Sequence, residues 1–116
     1  MKSKREYDSV IDENKSRMVS DFIGNTPFVK LSDNLYAKLE SVNPGGSIKD
    51  RPVKYILDYA ENNRLITKGD TIIEATSGNT GISLSMMCAE RGYKCIIVMP
   101  SAVSYTHLTL PTILLV

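Results

Sequence analysis

The chain is 116 residues long, 42% hydrophobic and 23% charged, the profile of a soluble globular domain, and at roughly 100–200 residues per domain it has room for one at most. Fourteen basic residues against thirteen acidic leave a formal charge of +1, so no global field draws it to nucleic acid or to an anionic membrane. The start, MKSKREYDSV, has basic residues but no apolar stretch behind them, which argues against a secretory signal and makes the cytoplasm the expected compartment.

Residues 5–21 are mostly polar, with Tyr7, Val10, Ile11, Met18 and Val19 on one narrow face, and read as a surface helix. The turn chemistry of Gly24, Asn25 and Pro27 ends it. FVKL at 28–31 and LYAKLE at 35–40 read as short strands about the turn SDN. After the breaker NPGGS, the apolar residues Val53, Ile56, Leu57 and Ala60 recur at helical spacing, predicting an amphipathic helix that starts between Ser47 and Asp50 and runs to Asn63. TIIEA at 71–75 is a strand, TSGNTG a loop, residues 82–91 a helix ending before Gly92, and CIIVM at 95–99 a strand. Strand, helix and strand in series, with nearly continuous apolar strands, predict an α/β fold with a parallel sheet covered on both faces. Cys88 and Cys95 lack CxxC spacing and matching histidines, so they read as small apolar core residues and not as metal ligands or a disulfide.

Two segments can carry chemistry. The loop TSGNTG lies between a strand and a helix, where open α/β sheets place their ligand sites. Gly78 and Gly81 allow a tight turn, the helix start favours an anion, and Thr76, Ser77, Asn79 and Thr80 add hydroxyl and amide partners. The loop matches neither the GxGxxG dinucleotide pattern nor the P-loop, and the alternative is a plain turn capped by Ser77 or Asn79. The second segment is NPGGSIKDRP, which puts Lys49 at the positive end of a helix, where a surface lysine gains nothing. Partial desolvation there would lower its pKa toward neutrality and suit it to attack a carbonyl and form a Schiff base; the alternative is a solvated lysine paired with Asp50 or a nearby acid. Position alone leaves both open.

Four blocks, IGNTPFVKL (23–31), AKLESVNPGGSIKDR (37–51), GDTIIEATSGNTG (69–81) and RGYKCIIVMP (91–100), resemble, in order, the N-terminal part of the cysteine synthase and cystathionine β-synthase family, the pyridoxal-phosphate enzymes of fold type II. The resemblance implies a partial three-layer parallel sheet with pyridoxal 5'-phosphate as cofactor. It implies that Lys49 holds the cofactor as a Schiff base and acts as the base at the substrate α-carbon, and that Asn79 hydrogen-bonds the cofactor's 3′ oxygen. Thr76, Ser77, Gly78 and Thr80 form the loop that takes the substrate's α-carboxylate, so the anion expected there is a carboxylate. The implied reaction is β-replacement on O-acetylserine with sulfide to give cysteine, in a homodimeric parent. Cystathionine β-synthase, with serine and homocysteine, is the close alternative; a noncatalytic α/β piece is the third. No metal is implied.

The family's glycine-rich phosphate loop, the partner of its pyridine nitrogen and the domain that completes its sheet come later than these blocks. Residues 1–101 are therefore expected to be an incomplete N-terminal portion, with CIIVM or TIIEA presenting an unpaired edge. Residues 103–112, VSYTHLTLPT, are spelled in order by GTC TCT TAT ACA CAT CTG ACG CTG CCG ACG, which resembles a transposase-type sequencing adapter. Residues 102–116 are accordingly expected to be an adapter-derived tail, in which His107 is no catalytic base and ILLV no core segment.

Overall fold

The computed structural model describes residues 17–101 and the strand at 113–115. Most of the surface helix expected over 5–21 lies outside the described residues; its end, Val19–Phe22, is a single 3-10 turn. Two consecutive left-handed residues, Gly24 (φ 84°) and Asn25 (φ 49°), then reverse the chain as the turn chemistry requires.

Strands β1 (Phe28–Ser32) and β2 (Leu35–Lys38) form an antiparallel hairpin, and Phe28 stacks on Tyr36 diagonally across it with ring centroids 5.1 Å apart. The second strand is shorter than the expected 35–40. Glu40 leaves the ladder to open a 3-10 turn, Glu40–Val42, because its carboxylate is held by Arg51 and Thr26.

Helix α1 (Asp50–Asn62) begins inside the expected window and buries Val53 and Leu57. Strands β3 (Thr71–Ala75) and β4 (Lys94–Met99) pair in parallel, and α2 (Asn79–Arg91) crosses between them. It closes on Gly92 in the left-handed region (φ 80°), where a β-carbon would also lie 2.7 Å from Lys68 Cε. Val53 and Leu57 of α1, Leu84, Met87 and Cys88 of α2, and Cys95 and Ile97 of β4 make one core. Both cysteines are free and buried, as their apolar surroundings predict.

Coverage of the sheet on both faces is not seen among the described residues. Alternation along β4 buries Cys95, Ile97 and Met99, while Ile73 on the opposite face of β3 is 62% exposed. The helices α1 and α2 supply one layer; among the described residues no second layer covers the other face of the sheet.

The C-terminal segment contributes a strand to this sheet. Ile113–Leu115 forms β5, parallel to Ile97–Met99 of β4, giving the order β3-β4-β5 and leaving the far edge of β3 without a partner among the described residues. An open strand edge presents unpaired N–H and C=O groups to any extended, β-prone triplet, and Ile-Leu-Leu meets that need whatever its origin.

Candidate active site

The helices α1 and α2 are braced at both ends. Near their starts, Ser83 Oγ donates to Asp50 Oδ1, a pair 33 residues apart. Near their ends, Arg91 Nη2 meets Asp58 Oδ1 at 2.7 Å, and Arg91 Nη1 and the Tyr93 hydroxyl both reach Glu61 Oε1 at 3.2 and 2.9 Å. Equal spacing at the two braces means that the helices run side by side in the same direction. Their N-terminal, partially positive ends therefore converge where β3 ends and the loop Thr76–Gly78 begins.

The loop is folded by its own first residue. Thr76 Oγ1 accepts the N–H groups of Gly78 (3.2 Å) and Gly81 (3.3 Å), which starts the helix at Asn79, three residues earlier than the apolar pattern predicts. Gly81 is required for closeness, since a β-carbon there would stand 2.8 Å from Thr76 Cγ2 and 3.1 Å from Ile97 Cγ2. Gly78 is the N-cap and provides no side-chain cap, so neither Ser77 nor Asn79 caps the turn. The backbone N–H groups of Asn79 and Thr80 accordingly have no acceptor among the described residues. Ser77 and Asn79 are exposed, Thr80 is half-buried, and a β-carbon on Gly78 would meet nothing within 4 Å. The cap expected from Ser77 or Asn79 is supplied instead by Thr76, and the N–H groups of Asn79 and Thr80 stay open among the described residues.

Lys49 occupies the N-cap of α1, its N–H donating to Ser47 Oγ at 3.2 Å. Its side chain is exposed, so the desolvation expected of it is not supplied by the described residues. Nor does it pair with Asp50. The Asp50 carboxylate is fully buried and turned inward, taking the Gly45 N–H on Oδ2 at 2.6 Å and the Ser83 hydroxyl on Oδ1. Among the described residues the Lys49 amine forms no ion pair or hydrogen bond, and it stands exposed at the start of α1.

Sequence reasoning missed the residues that hold this geometry. Asn43 is buried, accepting the Gly24 N–H at 2.8 Å and donating to the carbonyls of Glu40 (2.9 Å) and Ser47 (3.0 Å), so it ties the IGNTP turn to the NPGGS turn. Arg51 faces Glu40 and also donates to Thr26 Oγ1 at 3.2 Å. The Arg51 guanidinium, then the Thr26 hydroxyl, hold the Glu40 carboxyl at about 2, well below its ordinary value. A signal for Asp50 was present in the sequence: an acid in the first turn of a helix, five residues after Gly45 and facing a helix with serine on its buried side.

These residues fit the cofactor that the resemblance implies. An exposed lysine on a helix start is within the chemistry that joins an amine to a carbonyl, the Asn79 amide suits a ring oxygen, and N–H and hydroxyl groups at the α2 start suit a carboxylate. The described residues contain no group of three or more His, Cys, Asp or Glu side chains arranged for a metal ion, and no helix long and apolar enough to cross a membrane.

Comparison with known proteins agrees. Residues 19–114 match the family model described as pyridoxal-phosphate dependent enzyme. The chain belongs to this family, whose members use pyridoxal 5'-phosphate. Its curated relatives include cystathionine beta-synthase of Apis mellifera, 52% identical over 91 residues that make up 71% of this chain and 18% of that protein. Cysteine synthase B of Pseudomonas aeruginosa is 51% identical over 89 residues, 71% of this chain and 30% of the relative. Among solved structures, O-ureido-L-serine synthase superposes with a TM-score of 0.80 at 39% identity, over 87% of this chain and 35% of that one. A hydrogen sulfide-producing enzyme from Fusobacterium nucleatum gives 0.78 at 44% identity, over 87% and 38%. The chain therefore spans less than a third of the length of these two curated relatives.

Proposed function

We propose that the whole protein to which this chain belongs is a cytoplasmic, homodimeric cysteine synthase that replaces the β-substituent of O-acetylserine with sulfide. The observation that carries the reading is the exposed Lys49 at one helix start, tied through Asp50 and Ser83 to the start of the helix that opens the Ser77–Thr80 loop. When bound, pyridoxal phosphate supplies an electron sink for charge developing at the substrate α-carbon. Lys49 Nζ holds the cofactor and moves the proton at that carbon. Asn79 orients the ring through its amide. Ser77 and Thr80, with the two free N–H groups at the α2 start, hold the substrate carboxylate, while Thr76 shapes the loop through Oγ1 and keeps its hydroxyl proton for the same anion.

The second reading, cystathionine β-synthase, is favoured by the 52% identity to the Apis mellifera protein, level with the 51% to a cysteine synthase. Turnover of O-acetylserine with sulfide by the full-length protein, set against serine with homocysteine, decides between them. Borohydride should fix the cofactor to Lys49, and Lys49→Ala should abolish both the fixation and turnover. A cofactor fixed to Lys38 or Lys54, or to no lysine, would reject the assignment and favour a noncatalytic role for this segment. Asn79→Ala should retain the cofactor and slow turnover. Ser77→Ala or Thr80→Ala should weaken substrate binding, because losing a hydrogen bond to a charged carboxylate costs about 1.5–3 kcal/mol; wild-type kinetics in all three would leave the loop a plain turn.

A further inference from the structure

Among the described residues, Asp50 stands out as a charged side chain with no exposed surface, and no step of the chemistry just proposed passes through it. Its carboxylate has two partners. Oδ2 takes the Gly45 N–H at 2.6 Å, which curls the Gly45–Lys49 segment back on the helix start; Oδ1 takes the hydroxyl of Ser83, itself fully buried. The fit at Gly45 leaves no slack, since a β-carbon there would lie 2.1 Å from Oδ1. Ser83 lies four residues, about 6 Å of helix, beyond Asn79. A single carboxylate thus joins the turn before Lys49 to the first turns of the helix that opens the Thr76–Thr80 loop.

We infer that Asp50 is the positioning residue of this site: it sets the orientation of the Lys49 amine relative to the α2 start, and Ser83 is the other half of the device. The inference rests on the reading of Lys49 as the cofactor lysine. A carboxylate suits the task because both partners donate to it as arranged, and the hydrogen bonds of a backbone N–H and a hydroxyl to a charged acceptor are stronger than to a neutral one. An asparagine could still take the Gly45 N–H and turn its own N–H toward the Ser83 oxygen, but it would withdraw the charge that strengthens both bonds. The rest of the environment leaves Asp50 this role alone, since Arg51, its neighbour in sequence, is committed to Glu40 and Thr26.

The test uses cofactor-free full-length protein and measures how fast Lys49 captures added pyridoxal phosphate, by borohydride trapping at timed intervals and peptide mapping, beside the melting temperature of each variant. Ser83→Ala removes only a hydroxyl and should slow capture at Lys49 by roughly ten- to a hundred-fold, the range expected when a hydrogen bond to a charged group is lost. Asp50→Asn should slow it at least as much, and the double variant no more than the worse single, because both break one linkage. Wild-type capture rates in Ser83→Ala and Asp50→Asn, with only the melting temperature lowered, would make the pair structural and overturn the inference. Additive losses in the double variant would do the same. Wild-type protein that traps no cofactor on Lys49 would overturn the underlying reading together with this one, and is distinguished by needing no variant to appear.

Discussion

Gly45→Ala is the sharpest test of how the Lys49 turn is built. A methyl at residue 45 would sit 2.1 Å from Asp50 Oδ1, 2.9 Å from Cγ and 3.0 Å from Oδ2. Relief requires the carboxylate to retreat by about 1 Å or more, which breaks its 2.6 Å bond to the Gly45 N–H and disturbs that to Ser83. Loss of a hydrogen bond to a charged group costs about 1.5–3 kcal/mol. Overpacking adds about 1–3 kcal/mol. Together these predict about 2.5–6 kcal/mol, a large part of a total stability of about 5–15 kcal/mol. The neighbouring glycine is the control: Gly46→Ala meets nothing within 4 Å and suffers only from its left-handed backbone (φ 82°), about 1–2 kcal/mol. Urea unfolding followed by circular dichroism measures both. In an Asp50→Ala background the penalty at residue 45 should shrink toward that at residue 46, since the clashing group is gone. Equal losses at 45 and 46 in the wild-type background, or an undiminished penalty without the Asp50 carboxylate, would refute the argument.

Glu40 links stability to acid. Its pKa is depressed to about 2, so its stabilising contribution is complete above the ordinary value of 4.5 and is lost as pH falls from there toward 2. Glu40→Gln should flatten that part of the pH profile of the unfolding free energy, and an unchanged slope would remove Glu40 as its source. Burial first, and then the neighbouring Cys95, push the Cys88 thiol up to about 12, so the folded protein should not react through Cys88 with an aromatic disulfide reagent at pH 8, whereas the unfolded chain should. Prompt labelling of Cys88 in the native state would contradict this. The tail carries a prediction for DNA: the gene read from an independent genomic template should not encode Val103–Thr112 after Ser101, and recovery of those codons would make the tail native.

Much of this site is legible in the sequence because its signals are local. Val53 and Leu57 at helical spacing, the apolar runs TIIEA and CIIVM, and a glycine pair before Lys49 each report on a few adjacent residues, and each appears where the pattern puts it. What stayed hidden depends on side chains that reach across the fold. Glu40 reads as the end of a strand until Arg51 and Thr26 pull it out of the ladder. Asn79 reads as loop until Thr76 Oγ1 gathers two N–H groups and starts the helix early. Asp50, beside Lys49, is in sequence one of several acids that could pair with it, and only the meeting of α1 with Ser83 shows that the acid points inward and the lysine outward. That outcome removes one of the two alternatives that position left open for Lys49, pairing with its neighbour. The β5 strand teaches the opposite lesson. Backbone pairing along β4 asks only for an extended, apolar triplet, so Ile113–Leu115 can be placed there by an open edge alone, and its pairing carries no information about the origin of residues 102–116.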